Sequence, residues 1–322
     1  MPEIVAIGEI LIDFVSTQPV SYVQVPSFLK CFGGAPMNTI MGVSRLGLTS
    51  GAIAAVGDDP FGLFLIEELE KNGVDASRMK VKRGTRTTIT FVAIEPETGE
   101  RSFIFYRKPW VKDSSDTSLS AEDIDFEYID DAKIMHVSGF ALSQNPSRKA
   151  IMTAVNYAKK SGIRISFDPT LRQDVWHSEA TIRRMYNKML KLSDIATFSL
   201  EEAKFIFRTE NPERAAEAAL SRGVEIVGIK LGSKGAFVQT KQGKKVFQPS
   251  FKVKTVDTTG AGDGWNAGFL VSLTKDLDLQ SSATVANAVG ALVVTKLGAT
   301  TALPYREELN LFLSEHESII KI

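Results

Sequence analysis

The sequence has few of the features that would set a protein apart from ordinary globular chains. A single cysteine, Cys31, excludes an internal disulfide, so no oxidising compartment is implied. The 38 Lys and Arg balance 38 Asp and Glu, and this formal net charge of zero removes any global electrostatic case for nucleic acid or an anionic membrane. No segment approaches the roughly 20 apolar residues of a membrane span. We therefore expect neither nucleic acid nor membrane as a partner.

A secretory signal is also missing from the N-terminal segment, because Glu3, Glu9 and Asp13 interrupt its apolar stretch. The three histidines are isolated and lack metal-ligand spacing. What the 322 residues do have is 43% hydrophobic and 24% charged residues, a balance that supports a large folded core. We expect a cytoplasmic globular protein.

Short apolar runs alternate with amphipathic stretches along most of the chain. Nearly continuous apolar runs such as IVAIG and AIAAV are typical of strands buried on both sides. The alternation predicts an α/β fold with a mostly parallel sheet and helices on both faces. The predicted strands include residues 4–7, 11–15, 52–56, 133–137, 163–167, 194–198 and 225–231, and the predicted helices 35–46, 61–71, 147–160, 179–192, 200–207, 212–221, 263–274 and 282–295.

Two regions, about 16–32 and 80–115, break this alternation and are rich in strand patterns without helices. TTITFVAI and RSFIFYR alternate like the two strands of a hairpin with a turn near residues 97–100. We interpret the two regions as a small accessory sheet that serves as a lid, a dimer contact or both, because its apolar face needs cover. An edge extension of the main sheet is the alternative.

The segment VDTTGAGDGWNAGF, residues 256–269, carries the strongest chemical signal. A predicted strand over 251–256 leads into a turn whose Gly260 and Gly262 let backbone N–H groups converge, and a predicted helix follows. Such a turn suits a phosphate group. Asp263 is then either a helix cap or the base that accepts a proton from an attacking hydroxyl during phosphoryl transfer. Spacing alone leaves these two roles open.

Other glycine-rich segments support a small polar ligand but not a dinucleotide. FGGAPMN, residues 32–38, places two glycines and Asn38 at the start of a predicted helix, which permits close approach to such a ligand. Trp265 stands where a dinucleotide fingerprint needs its third glycine, and the GDDPFG segment lacks the lysine of a P-loop. A dinucleotide-dependent oxidoreductase is therefore disfavoured.

The two segments together resemble the signatures of the PfkB (ribokinase-like) family of carbohydrate kinases. Gly33, Gly34, Ala35, Pro36 and Asn38, with VGDDPFG downstream, resemble the family's N-terminal signature. DTTGAGD at 257–263 resembles its C-terminal signature. The resemblance implies a single Rossmann-like kinase domain over residues 1–322 with a small β-sheet lid. It also implies ATP- and Mg²⁺-dependent transfer of a phosphoryl group to a sugar hydroxyl, with possible K⁺ dependence.

The resemblance further implies roles for individual residues. The implied catalytic residues are Asp263, as base, and the backbone of Gly260, Ala261 and Gly262, as anion hole. The implied sugar ligands are Asp13, at the end of the first strand, Gly33, Gly34, Asn38, Asp263, the lid arginine Arg107, and Arg172. The implied nucleotide ligands are Lys230, Gly232, Gly235, Gly260, Gly262 and Asn287. Glu202 is an indirect Mg²⁺ ligand in a motif where Ser199 replaces the family's Asn, and Asp257 and Thr259 are candidate monovalent-cation ligands.

Within the family, GEILIDF, GGAPMN, DPTLR and FYR resemble fructokinases most, and D-fructose is the expected acceptor. 2-Keto-3-deoxygluconate is the alternative, because Arg107 or Lys108 would suit its carboxylate. Ribose and nucleosides fit less well, and a catalytically silent sugar-binding member would have no need of Asp263. The family often pairs through its lids, so a homodimer is expected.

Overall fold

The computed structural model describes residues 1–94, 101–316 and 318–322. Its strands, in chain order, are β1 Ile4–Ile7, β2 Leu11–Ser16, β3 Phe28–Gly33, β4 Ser50–Ile53, β5 Ala55–Gly57, β6 Val74–Asp75, β7 Lys80–Lys82, β8 Ile89–Ile94, β9 Arg101–Tyr106, β10 Ile134–Ser138, β11 Arg164–Asp168, β12 Ile195–Ser199, β13 Ile226–Lys230, β14 Ala236–Thr240 and β15 Lys245–Gln248. Its helices are α1 Ala35–Arg45, α2 Pro60–Lys71, α3 Glu127–Asp130, α4 Ser147–Lys160, α5 Glu179–Leu192, α6 Leu200–Phe207, α7 Pro212–Leu220, α8 Ala261–Thr274, α9 Leu279–Val293 and α10 Arg306–Glu315.

The main sheet has the strand order β15-β14-β13-β12-β11-β10-β1-β4-β6. Strands β10 to β13 pair in parallel, as do β1, β4 and β6 with their neighbours, whereas β14 and β15 add an antiparallel edge. Parallel strands need crossover connections, which the helices provide. The predicted α/β class with a mostly parallel sheet is confirmed.

Helices cover both faces of this sheet and bury a separate core on each side. One core contains Val5 and Ile7 of β1 with residues of α4, α5 and α7, such as Ile151. The other contains Ile4 and Ala6 of the same strand with residues of α1, α8 and α9. Alternate side chains of one strand thus enter both cores, which explains its continuous apolar run. Among the described residues, no helix combines the length and apolarity needed to cross a membrane.

A second sheet has the strand order β3-β2-β8-β9. The predicted hairpin strands are β8 and β9, which pair antiparallel, and their predicted turn at 97–100 lies outside the described residues. The prediction for residues 11–15 needs correction, because β2 belongs to this second sheet and pairs with β3 and β8. Asp13 is consequently on the second strand of the chain. Residues 80–82 also differ, since β7 pairs with β5 in a separate ribbon.

The strand predicted over residues 251–256 is not present. The N–H groups of Val256 and Asp257 instead donate to the carbonyl of Val294 at the end of α9, at 2.8 and 3.2 Å. The segment therefore runs against a helix end and has no neighbouring strand to pair with. Three helices also begin earlier than predicted, α2 at Pro60, α8 at Ala261 and α9 at Leu279.

Candidate active site

A cavity of about 850 Å³ lies where β11, β12 and β13 reach their C-terminal ends and the second sheet faces them. In open α/β sheets, ligands bind outside the carboxyl ends of parallel strands, because helix N-termini and loops meet there. The polar side chains that line it come from both sheets, from α1, α6 and α8, and from loops, and they include Glu9, Asp13, Asn38, Arg101, Asp168, Arg172, Glu202, Lys230, Thr259 and Asp263.

The N-terminus of α8 forms one wall of the cavity. Gly260 precedes the helix with φ at +77°, and a Cβ there would lie 2.6 Å from that of Ala299, so only glycine fits this turn. The N–H groups of Gly262 and Asp263 belong to the first helical turn and lack intrahelical acceptors. Lys230 extends toward them, its Nζ 3.3 Å from where a Cβ on Gly262 would lie. This wall can bind an anion.

Asp263 is the third residue of α8, and Gly260 occupies the cap position. Its Oδ2 accepts a hydrogen bond from Nδ2 of Asn38 at 2.8 Å. Burial raises the pKa of Asp263 to about 7, although the Asn38 hydrogen bond acts in the opposite direction. A carboxylate with a pKa near neutrality suits a general base that accepts and releases a proton.

Asp13 is the second carboxylate of the site. It lies on β2, is 8% exposed, and packs so closely against Gly33 that a side chain there would overlap its carboxylate. Burial, together with the nearby charge of Asp263, raises the pKa of Asp13 to about 7. Within the described part of the chain, the Oδ1 atom of Asn38 is buried without a hydrogen-bond partner, so it can accept from a ligand hydroxyl. Gly34, Asn38 and both carboxylates thus form a polar subsite.

A buried ion pair joins the ends of β11 and β13. Nζ of Lys230 lies 2.5 Å from Oδ2 of Asp168, which also accepts from Nδ2 of Asn266 at 2.7 Å. Burial alone would raise the pKa of Asp168, but the charge and hydrogen bond of Lys230 outweigh it and lower the pKa to about 2. Burial likewise opposes the charged form of Lys230, yet the neighbouring carboxylates raise its pKa. Lys230 is held as a cation beside the anion-binding wall.

Glu202 lies at the start of α6, on the same side of the cavity. Its Oε2 accepts from the N–H of Ser199 at 2.7 Å, and its own N–H donates to the hydroxyl of Ser199 at 3.1 Å. The Oε1 atom accepts from the N–H of Leu171 at 2.9 Å. Burial, with the charge of Asp168 as a second cause, raises the pKa of Glu202. Ser199, which replaces the family's Asn, thus serves as the helix cap.

Asp257 and Thr259 lie behind the wall, in the loop before α8. The Asp257 carboxylate accepts from the N–H groups of Thr259 and Gly298, at 2.7 and 2.8 Å, and pairs with Arg101 at 2.5 Å. Oγ1 of Thr259 is buried and finds no hydrogen-bond partner in residues 1–94, 101–316 and 318–322. An unpartnered hydroxyl oxygen beside a carboxylate fits a hard monovalent cation, whose ligands are oxygens.

Three expected ligands do not reach the cavity in this structure. Arg107 follows the end of β9 and is fully buried, where Nε and Nη1 donate to Asp116 and Ser143 at 2.7 Å each. The side chain of Asn287 makes its hydrogen bonds with other parts of the protein. Its Oδ1 accepts from Nε1 of Trp265, and its Nδ2 donates to the carbonyls of Gln248 and Pro249. Gly235 packs tightly against the same two residues. The ligand roles that the resemblance implies for these three residues stay predictions.

The cavity-lining residues that the sequence did not predict include Arg101 and Glu9. Arg101 shares the strand alternation of Phe103 and Phe105, which also face the cavity, and this periodicity was the available signal. Glu9 accepts from the N–H of Ala35 and the hydroxyl of Ser138 at 3.2 and 3.0 Å. Burial raises its pKa to about 8, so it is mostly protonated at neutral pH. No sequence pattern identified it.

Comparisons with known proteins agree along nearly the whole chain. "Probable fructokinase-6, chloroplastic" of Arabidopsis thaliana is 36% identical over 330 residues, covering 99% of this chain and 83% of the relative. "Fructokinase" of Solanum tuberosum is 37% identical over 317 residues, covering 95% and 93%.

Solved structures give the same result. A fructokinase double mutant from Vibrio cholerae O395, in its fructose-, ADP- and potassium-bound form, matches with TM-score 0.85 and 33% identity over 97% of this chain and 98% of that one. A putative ribokinase II from E. coli, in complex with ATP and Mg²⁺, matches with TM-score 0.88 and 30% identity over 98% and 100%. The model of the pfkB family carbohydrate kinases matches residues 1–306. The chain therefore belongs to the pfkB family of carbohydrate kinases.

Proposed function

We propose that this kinase transfers the γ-phosphoryl group of ATP to a hydroxyl of D-fructose. The observation that carries the proposal is the position of Asp263, whose carboxylate shares one cavity with Asp13 and Asn38 and adjoins the anion-binding start of α8. A base between a polyol subsite and a phosphate site is the arrangement that phosphoryl transfer to an alcohol needs. Relatives named fructokinase supply the choice of sugar.

The chain's own residues account for the chemistry. Asp13 and Asn38 orient the sugar by hydrogen bonds to hydroxyls, and Asp263 accepts the proton of the attacking hydroxyl. The N–H groups of Gly262 and Asp263, with the positive end of the α8 dipole and Lys230, stabilise negative charge on the transferred group. Because the acceptor hydroxyl and the phosphate are held by different walls, the geometry favours attack by the sugar over water.

The residues present also fit the expected metal ions. Glu202 adjoins Asp168 at the strand ends, and its carboxylate oxygens already accept backbone N–H groups, so we assign it an indirect contact with Mg²⁺ through water. Bound Mg²⁺ would neutralise phosphate charge. Asp257 and Thr259 would hold a monovalent cation close to the turn before α8, as the unpartnered Thr259 hydroxyl suggests.

We assign the second sheet, with its flanking segments, the role of a lid within one kinase domain, and its outer face the role of a dimer contact. Alternation along β2 and β9 directs Asp13 and Phe103 to the cavity, and Phe14 and Tyr106 to the opposite face. Phe91 stacks on Phe14 and meets Tyr106 edge-on there, with ring centroids 5.4 Å apart in both pairs. Sedimentation of wild type and Tyr106→Lys tests this contact, because a charge in its centre should dissociate the pair.

A coupled assay of ADP release against a panel of acceptors tests the proposed activity. The panel contains fructose, 2-keto-3-deoxygluconate, ribose, inositol and adenosine, and we expect the highest kcat/KM with fructose. A preference for the keto acid would reject fructose while retaining the kinase. Burial of Arg107 against Asp116 removes one of the two cations, Arg107 and Lys108, that were expected to bind the carboxylate of the keto acid.

A further inference from the structure

Arg101 is the first residue of β9 and contributes a cationic side chain to the cavity from the second sheet. Only 8% of this side chain is exposed, although the residue begins the strand. Alternation along β9 places it on the same face as Phe103 and Phe105, and the same sheet carries Asp13 on β2. Arg101 therefore enters the site from the side of the polyol subsite.

One nitrogen of Arg101 is fixed. Its Nη2 lies 2.5 Å from Oδ1 of Asp257, a carboxylate with no exposed side-chain surface. Asp257 is itself held by the N–H groups of Thr259 and Gly298. The planar guanidinium is thus anchored at one corner, which fixes the directions of its remaining donors.

The other two nitrogens, Nε and Nη1, are buried and have no hydrogen-bond partner among the residues that the structure describes. Buried donors in native proteins nearly always have acceptors, and an ionised group makes an unpartnered one costlier still. An anchored cation with two free donors in a cavity wall indicates that the acceptors are supplied by a ligand.

The position of Arg101 indicates which ligand. Phosphate groups are served by the start of α8, where Lys230 adjoins Gly262. Arg101 shares its sheet with Asp13, and Nε and Nη1 are two separate hydrogen-bond donors that hydroxyl oxygens can accept. We propose that Arg101 is a specificity-determining residue that donates hydrogen bonds from Nε and Nη1 to hydroxyl oxygens of the acceptor sugar. This assignment rests on the proposed activity toward fructose.

Two substitutions separate a sugar ligand from a residue that merely neutralises Asp257. Arg101→Lys keeps the charge near Asp257 but loses the separate Nε and Nη1 donors, and Arg101→Gln loses the charge as well. Exposed Arg83→Gln, in the same 80–115 region, is the control. We expect Arg101→Lys to raise KM for fructose roughly 10- to 100-fold, the effect of losing hydrogen bonds from a charged donor, while KM for ATP stays within about twofold.

Deoxyfructoses, each lacking one hydroxyl that is not phosphorylated, extend the test. The analogue without an Arg101-bound hydroxyl should lose kcat/KM with wild type but lose little more with Arg101→Lys, because the contact is already absent. Thermal unfolding identifies folded variants, and Arg101→Lys together with the analogues suffices if Arg101→Gln does not fold.

The outcomes are distinguishable. Wild-type KM for fructose in Arg101→Lys, or equal analogue penalties in both proteins, would overturn the assignment and leave fructokinase activity intact. Absence of fructose turnover by wild-type protein would instead reject the proposed function, and the assignment with it.

Discussion

Asn38 and Asp263 are 225 residues apart in the chain, yet Nδ2 of Asn38 donates to Oδ2 of Asp263 across 2.8 Å. This hydrogen bond joins the start of α1 to the start of α8. It favours the ionised form of Asp263 and so opposes the effect of burial on its pKa. The readiness of the base to accept a proton is therefore set partly by the residue that also faces the sugar.

Replacement of Asn38 by Ala should move the acid limb of the rate profile to higher pH. The base acts only when ionised, so kcat/KM of the wild type, which reports the free enzyme, should rise with pH through about 7, the pKa of Asp263. Without the Asn38 hydrogen bond the ionised carboxylate is less favoured and its pKa rises, by roughly one pH unit for a bond worth about 1.4 kcal/mol. Profiles of kcat/KM for fructose between pH 5.5 and 9 measure the displacement for each protein. An acid limb at unchanged or lower pH would show that the bond does not tune the base.

Asp263→Asn should abolish most turnover, whereas the variant should still bind the sugar. The amide is nearly isosteric but cannot accept the proton, and general-base catalysis contributes about 100- to 10,000-fold to rate. Single-turnover kinetics measure the chemical step, and calorimetry measures fructose binding. Asp278→Asn, at the exposed cap of α9, is the control for loss of a helix-terminal carboxylate. Turnover near that of the wild type would remove the base assignment.

Glu9→Gln should make the protein's stability less dependent on pH. Burial raises the pKa of Glu9 from an ordinary 4.5 to about 8, so between these values the folded chain retains a proton that the unfolded chain loses. Stability therefore falls as pH rises through this window, by about 1.4 kcal/mol per pH unit from this group alone. Glutamine has no such proton and keeps an oxygen for Ala35 and Ser138.

Urea unfolding of the wild type and Glu9→Gln between pH 5 and 8 measures this difference. The gap in free energy of unfolding should widen in favour of the variant as pH increases. For Glu67→Gln, on the exposed face of α2, the free energy of unfolding should change with pH as it does in the wild type. If the free energy of unfolding of Glu9→Gln also changed with pH as it does in the wild type, Glu9 would be ionised in the folded protein.

Lys230→Met should weaken nucleotide binding more than sugar binding. The substitution removes the cation beside the anion-binding turn, and we expect KM for ATP to rise roughly 10- to 100-fold with little change for fructose. It also leaves Asp168 buried without its counterion, which costs about 3–5 kcal/mol of stability. Lys159→Met is the matched control, because it breaks a Lys–Asp pair with Asp194 away from the cavity. An equal rise of both KM values would place Lys230 outside the phosphate site.

Local patterns were sufficient for much of the fold. The continuous apolar run of β1 requires burial on both faces, and the glycines around Gly260 permit a turn that no other residue could adopt next to Ala299. The sequence patterns failed to predict which strands pair, because strand pairing depends on residues that are distant in the chain. β2 reads like a core strand, yet it joins the second sheet, and residues 251–256 read like a strand without a neighbour to pair with.

The sequence by itself determined the alternation of strands and helices and the glycine turn that leads to Asp263, because both depend on near neighbours in the chain. Tertiary structure decided which arginine faces the ligand. Arg101 and Arg107 share one strand alternation, but Asp116 neutralises Arg107 in the interior, and Asp257 anchors Arg101 at the cavity. A buried arginine needs a carboxylate beside it, and which carboxylate lies there depends on how distant parts of the chain pack together.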